Sequence, residues 1–162
     1  MTVDFPNKHF LINGEWVCSN TEIDLIDPST GDVIAQVSEA NNEHVNDAVG
    51  VAKDTLENTW KNITARERST LLSTLGRLIE ENYDLLASLE ATDVGKPLRQ
   101  AQADVKALAR YMEFYAGAAD KLHGDTIPYL KDYTVYTLRE PHGVCAHICL
   151  LYTSDAADES VC

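Results

Sequence analysis

Once along this chain the spacing of apolar residues changes, and that change restricts it to a mixed α/β fold. Up to about residue 40 the apolar positions alternate with polar ones, as on half-buried strands. HFLI-NG-EWVC sets Asn13-Gly14 between two such runs, the strongest short signal for a hairpin, because a type I′ turn needs two residues tolerant of positive φ. Glu22 to Asp27 brings Ile23 and Leu25 to one face. DPSTGD then turns the chain through Pro28 and Gly31, and Val33 to Val37 completes a second hairpin.

From Asn42 the repeat becomes helical. Val45, Ala48, Val49, Ala52 and Leu56 form one stripe. Thr64 and Glu67 have capping-box spacing, and Leu71, Leu72, Leu75, Leu78 and Ile79 form the stripe behind them. Asn82 is expected to cap a short third helix carrying Leu85, Leu86 and Leu89, which Gly95 stops. Pro97 suits the first turn of a long fourth helix, lined by Ala101, Val105, Leu108, Met112 and Tyr115 and ending near Ala119. Gly124 to Pro128 break the helical pattern. TVYTLRE reads as an alternating strand, and VCAHI as a strand buried on both faces, as in a parallel sheet. Tyr111, Phe114 and Tyr115 are expected to pack in the core along the fourth helix.

Net charge of −13 leaves no Lys/Arg surface for nucleic acid and disfavours an anionic membrane. No apolar run approaches the roughly 20 residues of a membrane span. MTVDFPNKHF has neither the basic nor the apolar region of a secretory signal, and Cys18, Cys145, Cys149 and Cys162 lack disulfide-framework spacing. A cytoplasmic protein with free thiols is the expectation.

In order, FLINGEWV (10–17), IDPSTGDVIAQV (26–37), the helical run 47–82, LASLEATDVGKPL (86–98), YAGAADKLHGDTIP (115–128) and YTLREPHGVCAHI (136–148) resemble the N-terminal part of the aldehyde dehydrogenase family. The resemblance implies an α/β fold. Residues 1–123 would be the N-terminal part of an NAD(P)-binding domain, 124–142 an oligomerisation arm, and 143–148 the first strand of a Rossmann-like sheet. It also implies oxidation of a small aldehyde to a carboxylate with NAD or NADP, through attack of a cysteine thiolate, in a homo-oligomer (dimer or tetramer). None of the four cysteines here matches the family nucleophile, so no catalytic or cofactor-binding residue carries over.

In the family the strand matching Val144 to Ile148 continues into Pro-Trp-Asn, whereas here Cys149-Leu150-Leu151-Tyr152 follows. CLLYTSDAADE resembles a translated sequencing-library adapter. The expectation is therefore that 149–162 is a non-native tail on an inactive N-terminal piece of a longer enzyme. The rivals are a stand-alone helical interaction module using its Leu-rich stripes, and a CoA-acylating or semialdehyde dehydrogenase relative.

Among candidate sites, the resemblance implies a monovalent cation (K+ or Na+) held by Asp93 and the carbonyls of Leu25 and Ile26; a simple hydrogen-bonded aspartate is the alternative. A carboxylate near a helix C-terminus opposes the dipole and calls for a partner. Tyr133, Val135, Tyr136 and Leu138 match the arm, against an ordinary edge strand. Cys145, His147 and Cys149 share a strand face but lack a fourth zinc ligand. Gly95-Lys96 has no glycine five residues earlier and no Ser/Thr after it, which excludes a P-loop. Cys18 and Cys145 are expected as small buried hydrophobes, and His44, His123 and His142 as surface histidines.

Overall fold

The computed structural model describes residues 9–147. Strands β1 (Phe10–Ile12) and β2 (Glu15–Val17) pair antiparallel, with Phe10 opposite Val17. Asn13 (φ 54°) and Gly14 (φ 78°) both take positive φ at the turn, as the type I′ geometry requires. β3 (Glu22–Ile26) and β4 (Val33–Ser38) form the second hairpin, with an irregularity at Leu25/Ile26. Its turn is held by Asp27, whose carbonyl accepts from the Gly31 amide at 2.8 Å and whose carboxylate accepts from the Ser29 amide at 2.7 Å.

Helix α1 (Asn42–Asn58) begins with a reciprocal cap that the sequence reading missed. Asn41 Oδ1 accepts from the His44 amide at 3.0 Å, and His44 Nδ1 accepts from the Asn41 amide at 3.2 Å. The imidazole here does what Glu or Gln does in the familiar box. It also lies against the Phe10 ring, with centroids 4.7 Å apart, so His44 is half-buried rather than a plain surface residue. The apolar stripe of α1 is otherwise not covered: no residue of this helix is buried.

After a short 3-10 turn (Trp60–Asn62), α2 (Ala65–Glu81) starts at the expected box. Thr64 Oγ1 accepts from the Glu67 amide at 3.2 Å, while Glu67 accepts from the Thr64 amide at 2.7 Å. Asn82 does not cap α3 (Tyr83–Val94). Its backbone (φ −106°, ψ 18°) is not extended, so its side chain cannot reach forward and instead donates to the Leu78 carbonyl at 2.8 Å. Gly95 ends α3 in the left-handed region, its amide bonding the Ala91 carbonyl at 3.0 Å. Pro97 stands one position earlier than expected, as the residue before α4 (Leu98–Ala118), its carbonyl taking the Ala101 amide.

The core lies where α4 crosses α2 and α3. It consists of Ile79, Ala87, Ala101, Val105 and Ala109, with Tyr83, Leu86, Ala91 and Met112 around it. Small residues let the helices approach closely: a Cβ on Gly76 of α2 would stand 3.3 Å from the Ala109 carbonyl oxygen of α4. Among the described residues no large side chain is fully buried.

Several expectations are corrected by this packing. Tyr111, Phe114 and Tyr115 are exposed, Phe114 at 66%, because α4 turns its alanines rather than its aromatics toward α2 and α3. Leu71, Leu75 and Leu78 are exposed too; from that stripe only Ile79 is buried. Cys18 and Cys145 are exposed rather than buried. The long strand expected over TVYTLRE is laddered only at β6 (Val135–Tyr136), which pairs with β5 (Thr126–Ile127) in the same chain. Val144 to His147 form no strand, since no described segment pairs with them; Ile148 and the expected tail lie outside the described residues.

Candidate functional site

Where the second hairpin meets the α3–α4 junction, the fold brings together the two segments named for a cation. The Pro28 ring lies over Gly95 so closely that a Cβ on that glycine would be 2.5 Å from Pro28 Cγ. Leu25 and Ile26 precede this turn, and Asp93 sits two residues before the glycine. The Asp93 carboxylate is exposed and makes no hydrogen bond or ion pair with the described residues. The described residues contain no cluster of three or more His, Cys, Asp or Glu suited to a metal, and Cys149 of the zinc alternative lies outside them.

Beside this contact is an ion-pair centre that the sequence reading did not find. Lys96 Nζ donates to Asp104 Oδ2 at 2.6 Å and also pairs with the Glu90 carboxylate, joining the end of α3 to the second turn of α4. The hydrogen bond to Asp104, then that to Glu90, raises the Lys96 pKa above its ordinary value. Neither spacing is a helical neighbour distance within one helix. Only the left-handed turn at Gly95 puts the ammonium between the two carboxylates.

Segment 124–142, the expected arm, carries the four residues named for oligomerisation. Tyr133, Tyr136 and Leu138 are exposed and Val135 is half-buried in the hairpin. Tyr129 and Tyr133 meet edge to face, with centroids 5.8 Å apart. At the arm's base the Thr137 amide donates to the Asp125 carbonyl at 2.9 Å, and Thr137 Oγ1 accepts from the Asp125 amide at 2.8 Å.

A groove of about 850 Å³ runs between α2, the end of α4 and residues 139–141, floored by Leu72 and Leu75 and flanked by Trp60, Tyr115 and Leu122. None of these features is a dinucleotide site. The described sheets are three separate two-stranded antiparallel hairpins, and the residue before α4 is a proline rather than a glycine-rich turn. A parallel sheet feeding a helix N-terminus, which cradles a pyrophosphate, is therefore not formed by the described residues.

Residues 16–149 match the model of the aldehyde dehydrogenase family. The chain belongs to that family. Among its curated relatives, aldehyde dehydrogenase family 2 member B4, mitochondrial, of Arabidopsis thaliana is 42% identical over 151 residues, covering 91% of this chain and 28% of that protein. The succinate-semialdehyde dehydrogenase [NADP(+)] of Saccharomyces cerevisiae is 40% identical over 153 residues, covering 91% and 31%. A solved aldehyde dehydrogenase from Bacillus cereus superposes with a TM-score of 0.79 at 40% identity, covering 83% of this chain and 28% of that one. Its NAD+ complex gives 0.77 at 41% identity, covering 80% and 27%. The α/β architecture is thus that of the aldehyde dehydrogenase fold, and the chain spans less than a third of the length of these relatives.

Proposed function

We propose that this chain is the N-terminal part of an NAD(P)-dependent enzyme that oxidises an aldehyde to a carboxylate. It supplies that enzyme with a helical platform and an oligomerisation arm rather than with reacting groups. One observation carries the reading: the family model matches residues 16–149, and a solved member of the family superposes on 83% of the chain at 40% identity. Because the described residues do not fit a dinucleotide, no catalytic step is assigned to them, and the chain by itself is read as inactive. The substrate class stays at aldehydes. A semialdehyde is the second reading, favoured by the yeast relative, which is named as a semialdehyde dehydrogenase.

Two sites belong to the same reading. Asp93, with the carbonyls of Leu25 and Ile26, is proposed to hold a K+ or Na+ ion. Support comes from the contact of Pro28 with Gly95, from the lack of a partner for Asp93 among the described residues, and from the preference of hard cations for oxygen ligands. Tyr133, Val135, Tyr136 and Leu138 are proposed to meet a second copy, in a dimer or tetramer, through an arm too thin to bury its own apolar residues. No helix of the described residues is long and apolar enough to cross a membrane. The cytoplasm is the proposed compartment, and some relatives are named as mitochondrial.

The test joins this chain, as one polypeptide, to the part of the Bacillus cereus enzyme that it does not cover. NAD-dependent oxidation of acetaldehyde or succinic semialdehyde is the expected result. A folded chimera without turnover on a panel of aldehydes contradicts the reading.

A further inference from the structure

Two of the contacts that fasten the first hairpin to the rest of the chain go through histidines, and they respond differently to a proton. His9, just ahead of β1, has its Nδ1 3.3 Å from Ser38 Oγ at the end of β4. A hydroxyl both donates and accepts, so it serves a neutral or a charged imidazole equally. The second contact is Phe10 of β1 against His44 of α1, with ring centroids 4.7 Å apart and planes tilted by 58°. The His44 ring is pinned there by its own helix cap, where Nδ1 accepts from the Asn41 amide at 3.2 Å. An amide only donates. That bond therefore exists only while the imidazole is neutral and carries its proton on Nε2.

We infer that His44 is a pH-sensitive latch: in mild acid a proton on Nδ1 sets N–H against N–H, opens half of the α1 cap and frees Phe10 from the helix. Glu or Gln at this position of a capping box stays an acceptor through mild acid, whereas an imidazole takes up its proton between about pH 5 and 8. The new charge would also stand in the first turn of α1, at the positive end of the helix dipole. Both effects oppose the cap. The surrounding charges do not restore it. Glu43 and Asp47, on the same helix, are exposed and screened by solvent. β1 carries no titratable side chain, and His9 and Glu15, on either side of it, are exposed. Lys61 of the 3-10 turn pairs with Glu57 at the far end of α1. No ion pair to His44 forms among the described residues. The response is local as well, since α2, α3 and α4, which hold the core, contain no histidine.

The experiment compares the full chain with its H44Q variant, whose side chain keeps an acceptor at every pH. Both are followed by NMR from about pH 7.5 to about pH 5, with the His44 ring nitrogens read directly in the parent. At the upper end the His44 ring should show the Nε2-protonated tautomer. On acidification the Asn41 amide resonance should move along the same titration curve as the His44 ring, and the Phe10–His44 ring cross-peaks should disappear. In H44Q the Asn41 amide should stay in place. Thermal unfolding gives a second readout in which His9, His123, His142 and His147 cancel, because both proteins contain them. The melting temperature of the parent should fall relative to that of H44Q by about 2–4 °C over this range, the shift expected for loss of one cap bond in a chain of this size. An Nδ1-protonated ring near pH 7.5, an Asn41 amide that does not follow His44, or Phe10–His44 cross-peaks that persist at pH 5 overturns the inference. So does a difference in melting temperature that is the same at every pH, which is what a merely structural role for His44 would give.

Discussion

Replacing Gly95 by alanine tests the contact that ties the second hairpin to the helices. At φ 73° the backbone is left-handed, and a side chain there costs about 1–2 kcal/mol. The new Cβ would also lie 2.5 Å from Pro28 Cγ, 3.3 Å from its Cβ and 3.8 Å from its Cδ. Relieving that overlap costs about 1–3 kcal/mol more, because the ring is rigid and the turn behind it is held by Asp27. The expected loss is therefore about 2–5 kcal/mol, read by urea denaturation with far-UV circular dichroism. Gly31 provides the control: its φ is 79°, yet a Cβ there meets nothing within 4 Å, so G31A should show the backbone cost alone, about 1–2 kcal/mol. In the G95A/P28A double variant the overlap with Cγ is gone and only the 3.3 Å approach to Cβ is left, so most of the contact cost should disappear and the backbone cost remain. If G95A is no more destabilising than G31A, the hairpin does not rest on the α3–α4 junction, and the cation site proposed beside it loses its basis.

Further outcomes follow from the other contacts. Thr64→Ala should cost about 1 kcal/mol by removing the α2 cap. The Thr64 amide, followed by its hydroxyl, holds the Glu67 carboxyl below its usual range; that contribution is present above the unfolded carboxylate pKa and fades as pH falls through the lowered folded value, so T64A, which removes the hydroxyl and keeps the amide, should only partly flatten the acid limb of a stability–pH profile. Lys96→Met should cost about 0.5–1 kcal/mol near neutrality, a modest figure because the carboxylates are partly solvated. The Lys96 pKa is raised, so the ion-pair contribution is full below the unfolded lysine value and lost as pH rises through the folded one; the gap between K96M and the parent should close in alkali. Gly124→Ala would drive a Cβ into the Thr137 carbonyl and should open the base of the arm at a cost of about 1–3 kcal/mol, seen as faster exchange of the Thr137 amide.

Local chemistry was legible in the sequence wherever it was decided within a few residues. Asn13-Gly14, Thr64 with Glu67, and Gly95 each took the conformation that their residue types favour, because a turn or a cap is a short-range competition. The failures have a common physical origin. Asn82 has a capping side chain, but the α2–α3 joint keeps its backbone near the helical region, so a tertiary angle overrode a local preference. His44 was missed because the box is usually looked for with a carboxylate or amide at its third position. Periodicity located the stripes on α2 and α4 and gave no sign of which would find a mate: alanines won the interior of this chain, while Leu71, Tyr111 and Phe114 stayed outside. The Val144 to His147 segment has a strand's composition and no neighbour to pair with among the described residues. At the candidate sites, the pairing of Asp93 with the carbonyls of Leu25 and Ile26 was proposed from family resemblance, and the structure contributes the contact of Pro28 with Gly95. Lys96 with Glu90 and Asp104 could have come from neither pattern nor motif, since it exists only once Gly95 has turned the chain.

The most direct test of the account is calorimetric titration of the purified chain with NAD+ in the presence of K+. Described residues that form three antiparallel hairpins and a helical platform, without a parallel sheet or a glycine-rich phosphate turn, predict no saturable heat at any practical concentration. Saturable one-to-one binding of the cofactor would contradict it, because the chain would then contain the nucleotide site that this account assigns to the rest of the enzyme.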